Sequence, residues 1–298
     1  MNNLLNPFVS IIIPTYNDWH RLQICLDALK KQTISQESFQ VIVVNNNPED
    51  QMPIEIELAD NVIVLNEAKS GSYAARNKGL EVSTGDLVGF TDSDTIPNEY
   101  WIENAIKFFQ SNHDIKRVGG AVKLFYQSDR ANSVEAYDSI FAFRQREYVK
   151  EFGFAVTANM FTYRSLFDEI GNFNAELLSG GDFEWGARAQ AKGYPIVYLD
   201  SVLVMHPARN SYKELKTKIK RVSAGHLLMK SKMPSKWMLM VRLIKGFKPN
   251  IKDIRDIYQN KEVGMLDKLK VLRIRYYLGI LSNLEKIKIS FGNNPERL

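Results

Sequence analysis

Four short runs rich in β-branched residues, Val9-Ser10-Ile11-Ile12-Ile13, Phe39-Gln40-Val41-Ile42-Val43-Val44, Asn61-Val62-Ile63-Val64-Leu65 and Leu87-Val88-Gly89-Phe90, set the terms for any fold of this chain. None shows a sustained alternation of apolar and polar positions, so each reads as a strand covered on both faces. The first is read as stopped by Pro14. Between the first two runs, Leu22, Cys25, Leu26 and Leu29 recur at helical spacing within Trp19–Lys31, and a second helix is predicted from Ser72 to Leu80. Strand, helix and strand in this rhythm predict an α/β fold: a doubly wound, mostly parallel central sheet with helices on both faces. Ligands of such sheets collect at the carboxyl ends of the strands. The polar residues at those ends are Thr15, Tyr16, Asn17 and Asp18 after the first run, Asn45 and Asn46 after the second, and Asp92 and Asp94 after the fourth.

The remaining chain is less regular. Val118–Tyr126 reads as a strand, 131–150 as aromatic and mixed, Ala155–Tyr163 as extended, Ser165–Ile170 as a helix and Tyr194–Met205 as a strand ending in His206-Pro207. Gly180-Gly181-Asp182-Phe183-Glu184-Trp185 opens a helix that runs to about Lys192, with Asp182 in the first turn, where the helix dipole favours an acid. From Lys213 onward there are 21 Lys and Arg against 7 Asp and Glu, a local balance of +14 against −9 for the rest. A boundary is therefore placed near 212, with 1–212 as the sheet domain and 213–298 as a basic, mainly helical region.

The 298 residues, 45% apolar and 24% charged, are enough for a sizeable core and exclude a disordered or fibrous chain. The single cysteine, Cys25, cannot form an internal disulfide and is expected to be buried and unreactive. No run approaches the ~20 apolar residues of a membrane span. The N-terminal stretch lacks the basic and long apolar regions of a signal peptide, so the expectation is a cytoplasmic chain, on the cytosolic side of the membrane.

Asp92-Ser93-Asp94 carries the chemistry. On an extended backbone the two aspartates share a face, and two close carboxylates raise each other's proton affinity unless a cation neutralises them. A hard divalent ion completed by phosphate oxygens is the usual solution, and a strand-end turn is the plainer alternative.

Taken in order, Ser10-Ile11-Ile12-Ile13-Pro14-Thr15-Tyr16-Asn17, the second run ending at Asn45, Ala74-Ala75-Arg76-Asn77-Lys78-Gly79, Asp92-Ser93-Asp94 and Gly181-Asp182-Phe183-Glu184-Trp185 resemble the family 2 glycosyltransferases with a GT-A fold. The resemblance covers about residues 8–208. It implies inverting transfer from a nucleotide-diphosphate sugar, most often a UDP-sugar, to a glycan or lipid-linked acceptor, as in surface polysaccharide biosynthesis, with Mn2+ or Mg2+ as cofactor. It also implies a nucleotide-sugar site drawn from Pro14, Thr15, Tyr16, Asn17, Asn45, Arg76, Asp92, Ser93 and Asp94. Asp94 and Asp92 would meet the metal, with His206 a candidate third ligand or simply a structural histidine. Asp182 matches the family's general base, although Gly181 stands where the commonest pattern has an acid, and Glu184 is its rival. Asn45 departs likewise from a common aspartate. Arg76 either reaches the nucleotide or its phosphates or is an exposed helix arginine paired with Glu81 or another acid, and Trp185 either stacks on the acceptor or packs in the core.

In 213–298, cations interleave with Trp237, Met238, Leu239, Met240, Leu243, Ile244 and Phe247, and later with Leu272, Ile274, Tyr276, Tyr277, Leu278 and Ile280. Two expectations fit equally: a helical surface on an anionic membrane, or a helical extension whose apolar face packs on the catalytic domain and whose lysines face water. Nucleic acid is disfavoured, because no base-stacking platform is recognisable. A sugar-phosphate nucleotidyltransferase would carry a Gly-rich phosphate loop near its start, and Val9–Asp18 contains no glycine. A non-catalytic nucleotide- or glycan-binding relative is the non-enzyme alternative, resting on Gly181 and Asn45.

Overall fold

The structure is a computed structural model that describes residues 9–229 and 250–291, so the Trp237–Phe247 cluster lies outside the described residues. The four N-terminal strands form where the runs predict them: β1 (Val9–Thr15), β2 (Phe39–Asn45), β3 (Val62–Asn66) and β4 (Leu87–Thr91). Helix α1 (Trp19–Lys30) links the first pair and α2 (Ser72–Val82) the last. Pro14 does not end β1. It pairs in register with Val44 of β2, and the strand continues to Thr15 opposite Asn45. Ile11, Ile12 and Ile13 are all fully buried, which is what a strand covered on both faces requires; each such side chain contributes about 1.5–3 kcal/mol.

Further strands and helices follow as β5 (Ile96–Pro97), α3 (Trp101–Ser111), β6 (Arg117–Phe125), α4 (Ser133–Phe141), α5 (Gln145–Phe152), β7 (Asn159–Tyr163), α6 (Ser165–Ile170), α7 (Gly181–Ala191) and β8 (Ile196–Pro207). The eight strands lie in the order β3-β2-β1-β4-β7-β6-β8-β5. β3, β2, β1 and β4 pair in parallel, whereas β4–β7, β6–β7 and β5–β8 are antiparallel. Helices surround this mixed sheet, and among the described residues after it come α8 (Tyr212–Leu228), α9 (Ile251–Gln259) and α10 (Met265–Ser290).

The compact units do not follow a single cut at residue 212. One takes the chain up to Lys123 together with Phe143–Glu176 and Gly181–His206; the other takes Leu124–Ala142, Leu177–Gly180 and the chain from Pro207 onward. The physical reason lies in α4, within the stretch that looked merely mixed. Its Val134, Tyr137 and Ile140 share a core with Leu215 of α8, Ile257 of α9 and Val271, Ile274 and Leu278 of α10. An amphipathic helix goes where its apolar stripe is covered, whatever its place in the sequence. The core of the first unit gathers Ile11, Ile13, Val41, Val43, Leu87, Trp101, Phe109, Phe161 and Val204 with the α1 residues Leu22, Cys25, Leu26 and Leu29. Cys25 is buried there and burial pushes its thiol up to about 12, so it is inert as expected.

One buried polar node fixes the antiparallel half of the sheet. Asn159 of β7 donates to the carbonyls of Ala121 and Val202 at 2.7 and 2.9 Å and accepts from the Trp101 indole at 2.9 Å. Gly120 makes room for it, because a Cβ there would sit 2.3 Å from the Val202 carbonyl oxygen and 2.4 Å from Asn159 Nδ2. Gly120→Ala is therefore expected to destabilise the protein by about 2 kcal/mol, measured by chemical denaturation, since neither the backbone nor the buried amide can retreat.

Candidate active site

At the carboxyl end of β4, Asp92, Ser93 and Asp94 leave the strand. The carboxylates do not owe their meeting to strand alternation: a tight turn carries them, closed by Thr95, whose N–H and Oγ1 both donate to the Asp92 carbonyl at 3.2 and 2.8 Å. The long strand β8 delivers His206, which is buried, with Nε2 3.4 Å from an Asp94 oxygen. One ligand atom each from Asp92, Asp94 and His206 falls within 4.8 Å of the others, the only such group among the described residues. Burial raises the proton affinity of the Asp94 carboxyl and the Asp92 charge adds to it, while His206 and, more weakly, Arg21 oppose. Arg21 approaches Asp94 only to 3.5 Å while holding Asp18 at 2.8 Å, and Ser93 donates to Asp18 at 3.3 Å. Two oxygen donors and an imidazole, short of positive charge, suit Mn2+ or Mg2+.

Helix α2 joins this cluster to the second acidic centre. Gly71, at φ +121°, ends the loop before it and donates its N–H to Asn46 Oδ1 at 2.7 Å. Asn46 also donates to the Glu67 and Lys69 carbonyls at 2.9 and 2.8 Å, which ties the end of β2 to the start of the helix. Three residues apart on one face, Tyr73 donates its hydroxyl to Asp182 at 3.2 Å and Arg76 places Nη2 2.6 Å from Asp92. Arg76 is 4% exposed; it does not pair with Glu81, which takes Lys78 instead, and its Nε has no partner.

Asp182, in the first turn of α7, also accepts from the Phe183 N–H at 2.9 Å. Burial raises its proton affinity, against the hydrogen bonds and the charge of Arg76. Gly181 has a local cause: any Cβ there would lie 2.8 Å from the Tyr73 ring that holds Asp182. The far end of α7 rests on buried Arg117, which donates to the Gly186 carbonyl at 3.3 Å and the Tyr194 carbonyl at 3.0 Å, a cation at a helix carboxyl end.

Other sequence candidates separate here. Glu184 is gripped by Arg188 at 2.7 and 3.0 Å, and Arg188 in turn binds the Ile170, Gly171 and Asn172 carbonyls, so this acid anchors α7. Trp185 is fully buried against Phe167 and Phe173 and donates to the Gly171 carbonyl at 2.9 Å, so it packs in the core and offers no ring face to an acceptor. Asn45 spends its amide on the Asp50 carbonyl and Asn66, at 2.9 and 3.2 Å, and its oxygen on the Asn47 N–H at 3.0 Å, so it shapes the loop after β2. Pro14 and Thr15 are buried, Tyr16 is exposed, and Asn17 adopts φ +52° with its oxygen accepting from Asn47 at 2.8 Å. Buried Thr15 Oγ1 and Asp50 Oδ2 have no partner. Tyr73, Asp50 and Arg21 went unnoticed in the sequence; only the Tyr73–Arg76 spacing at the start of a predicted helix could have signalled the first.

A sheet that turns from parallel to antiparallel, an Asp-x-Asp turn at the carboxyl end of β4 and a separate partly buried acid at a helix start define a GT-A glycosyltransferase. Residues 10–171 match the family model described as glycosyl transferase family 2. The chain belongs to that family. It is 34% identical over 238 residues to glycosyltransferase AglE of Haloferax volcanii, which spans 78% of this chain and 75% of the relative. It is 23% identical over 285 residues to the glucosyl-dolichyl phosphate glucuronosyltransferase of the same organism, covering 93% and 86%. The mannosyltransferase PcManGT of Pyrobaculum calidifontis, solved in complex with GDP-Man and Mn2+, has the same fold, with a TM-score of 0.53 at 17% identity over 98% of this chain and 78% of that one.

The raised proton affinity of Asp182 means that its ionised form costs the fold free energy at neutral pH, and that the cost fades as pH falls through its folded pKa towards the ordinary 3.8. Asp182→Asn, which keeps an oxygen for Phe183 and Tyr73, is expected to raise the melting temperature at pH 7 and to give no gain below pH 3.8, read by thermal denaturation across pH.

Proposed function

We propose that this glycosyltransferase moves a sugar, with inversion, from a nucleoside diphosphate sugar to a hydroxyl of a lipid-linked glycan acceptor. The observation that carries the reading is the reach of one helix turn to both acidic centres, Tyr73 to Asp182 and Arg76 to Asp92. Asp182 takes the proton of the acceptor hydroxyl; that oxygen forms its bond to the anomeric carbon while the carbon–phosphate oxygen bond breaks and its electron pair leaves with the diphosphate. Asp92, Asp94 and His206 are the residues that would hold a divalent ion, which when bound supplies positive charge for the departing diphosphate. Arg76 carries a buried, unpartnered Nε beside that position and adds fixed charge without reorganising. Thr15, the last residue of β1, and Asp50, in the loop after β2, each with an unpartnered oxygen, are assigned with Tyr16, Asn17 and Ser93 to the nucleoside side. A uridine diphosphate sugar is the first donor to test, and GDP-mannose, bound by the Pyrobaculum neighbour, the second. The similarity to a dolichyl phosphate glucuronosyltransferase supports the acceptor class.

Thermal-shift screening of nucleotide sugars with Mn2+ tests the donor, because only a ligand of the folded state raises its melting point. Asp94→Ala is expected to lose Mn2+ binding by calorimetry, and Asp182→Asn to lower transfer at least ~100-fold while nucleotide binding persists. Undiminished turnover in either variant overturns the corresponding role. The base must be ionised to act, so log kcat is expected to fall as pH drops below the raised pKa of Asp182, with its acid limb above 3.8. A limb at or below that value would point to another base.

A further inference from the structure

Helix α10 is apolar on two opposite sides. Val271, Ile274, Leu278 and Ile289 are buried, the first three in the core shared with α4, α8 and α9 and the last against Ala224 and Leu227 of α8. A helix with one such stripe normally turns charge to the other side. Here the open side, at the complementary 3- and 4-residue spacing, exposes Met265, Leu266, Leu269, Tyr276, Tyr277 and Leu284, with Leu266 76% and Met265 65% exposed. The other exposed positions of the helix are Lys270, Arg273 and Lys288. Its two acids are turned elsewhere: Glu285 is buried and Asp267 is largely covered and paired with Lys270 at 3.0 Å and Arg130 at 3.6 Å.

We propose that this open face of α10 seats the protein on an anionic membrane surface, which deepens the reading of a lipid-linked acceptor and rests on it for its purpose. Leucines and a methionine seek the acyl boundary, tyrosines the headgroup level, and Lys270, Arg273 and Lys288 the lipid phosphates. At 1.5 Å per residue the 26-residue helix is about 39 Å long and lies in the plane of the surface. A second copy fits less well, because a two-fold contact through this face sets Arg273 and Lys288 and their copies against one another, while Asp267 on the same helix is already engaged by Lys270 and Arg130. Nucleic acid fits less well too, because it has no use for Leu266, Leu269 and Leu284.

The test is co-sedimentation of the full chain, without donor or metal, with vesicles of phosphatidylcholine alone or mixed with phosphatidylglycerol. The triple variant Leu266→Gln, Leu269→Gln, Leu284→Gln changes exposed positions only, and its melting temperature reports that it folds. Binding to the phosphatidylglycerol vesicles, weakened by salt and lowered at least ~10-fold in the triple variant and in Lys270→Glu, Arg273→Glu, Lys288→Glu, is the expected result. Three results overturn the proposal: equal binding to both vesicle types, binding unchanged in both variants, which would assign it to another segment such as 230–249, or no binding. A concentration-dependent dimer by sedimentation velocity that the triple variant abolishes would assign the face to a second copy instead. These readouts involve neither Asp94 nor Asp182, so the membrane proposal and the transfer mechanism fail separately.

Discussion

The site depends on the first turn of α2 being held between two acids. Tyr73 and Arg76 lie three residues apart and so share a helix face; one binds Asp182 and the other Asp92. Those acids come from distant parts of the chain and from unlike structures, a helix start and a strand-end turn. The turn is itself placed by Asn46, which fastens the loop before α2 to the end of β2. Rigid sheet, amide clasp and helix turn thus pass one position on to the next. Because Gly181 lies against the Tyr73 ring, loss of an acid at that place and gain of the tyrosine contact are the same structural fact.

The two carboxylate centres have different electrostatic needs. Asp94 is raised by burial and by Asp92; Arg76 pairs with Asp92 at 2.6 Å, but among the described residues Asp94 itself has only Arg21 at 3.5 Å and His206 at 3.4 Å, so its carboxylate is the one an added cation relieves. Asp182 is raised by burial alone and is held by neutral donors, Tyr73 and the Phe183 N–H. A base gains from that arrangement, since a carboxylate with greater proton affinity takes a proton more readily. Glu184, one turn away from such conditions, is neutralised by Arg188 and spends its charge on the packing of α7.

The parallel half of the fold was legible because buried strands leave an unmistakable record: Ile11, Ile12 and Ile13 have no polar alternative between them. Asp92, Asp94 and His206 were legible as candidates because each lies at the end of a strand, and they meet because β5, directly after the Asp92–Asp94 turn, pairs with β8 at Ile96 and Met205. Three features were hidden for physical reasons. Pro14 sits within β1, since its strand neighbour tolerates a missing donor at the last rungs, and only pairing reveals that. Trp185 is open in the sequence between an acceptor contact and the core, and only its packing on Phe167 and Phe173 decides for the core. Asn45 reads as a ligand until its three hydrogen bonds are counted.

The charge asymmetry of the sequence takes its meaning from α4. A boundary drawn where charge changes sign keeps residues 124–142 with the sheet, yet α4 supplies Val134, Tyr137 and Ile140 to the core that α10 completes. With one side of α10 satisfied by that core, the apolar residues on its other side are in excess of what folding needs. Surplus apolar surface is tolerated where a binding event uses it, and a face whose exposed charges are all positive narrows the partner to something anionic and flat enough to meet a straight helix. Inward, α10 packs on α4, α8 and α9; outward, its exposed apolar residues are what the proposed membrane contact would use, and the two roles exclude each other only so long as a helix is credited with a single apolar face.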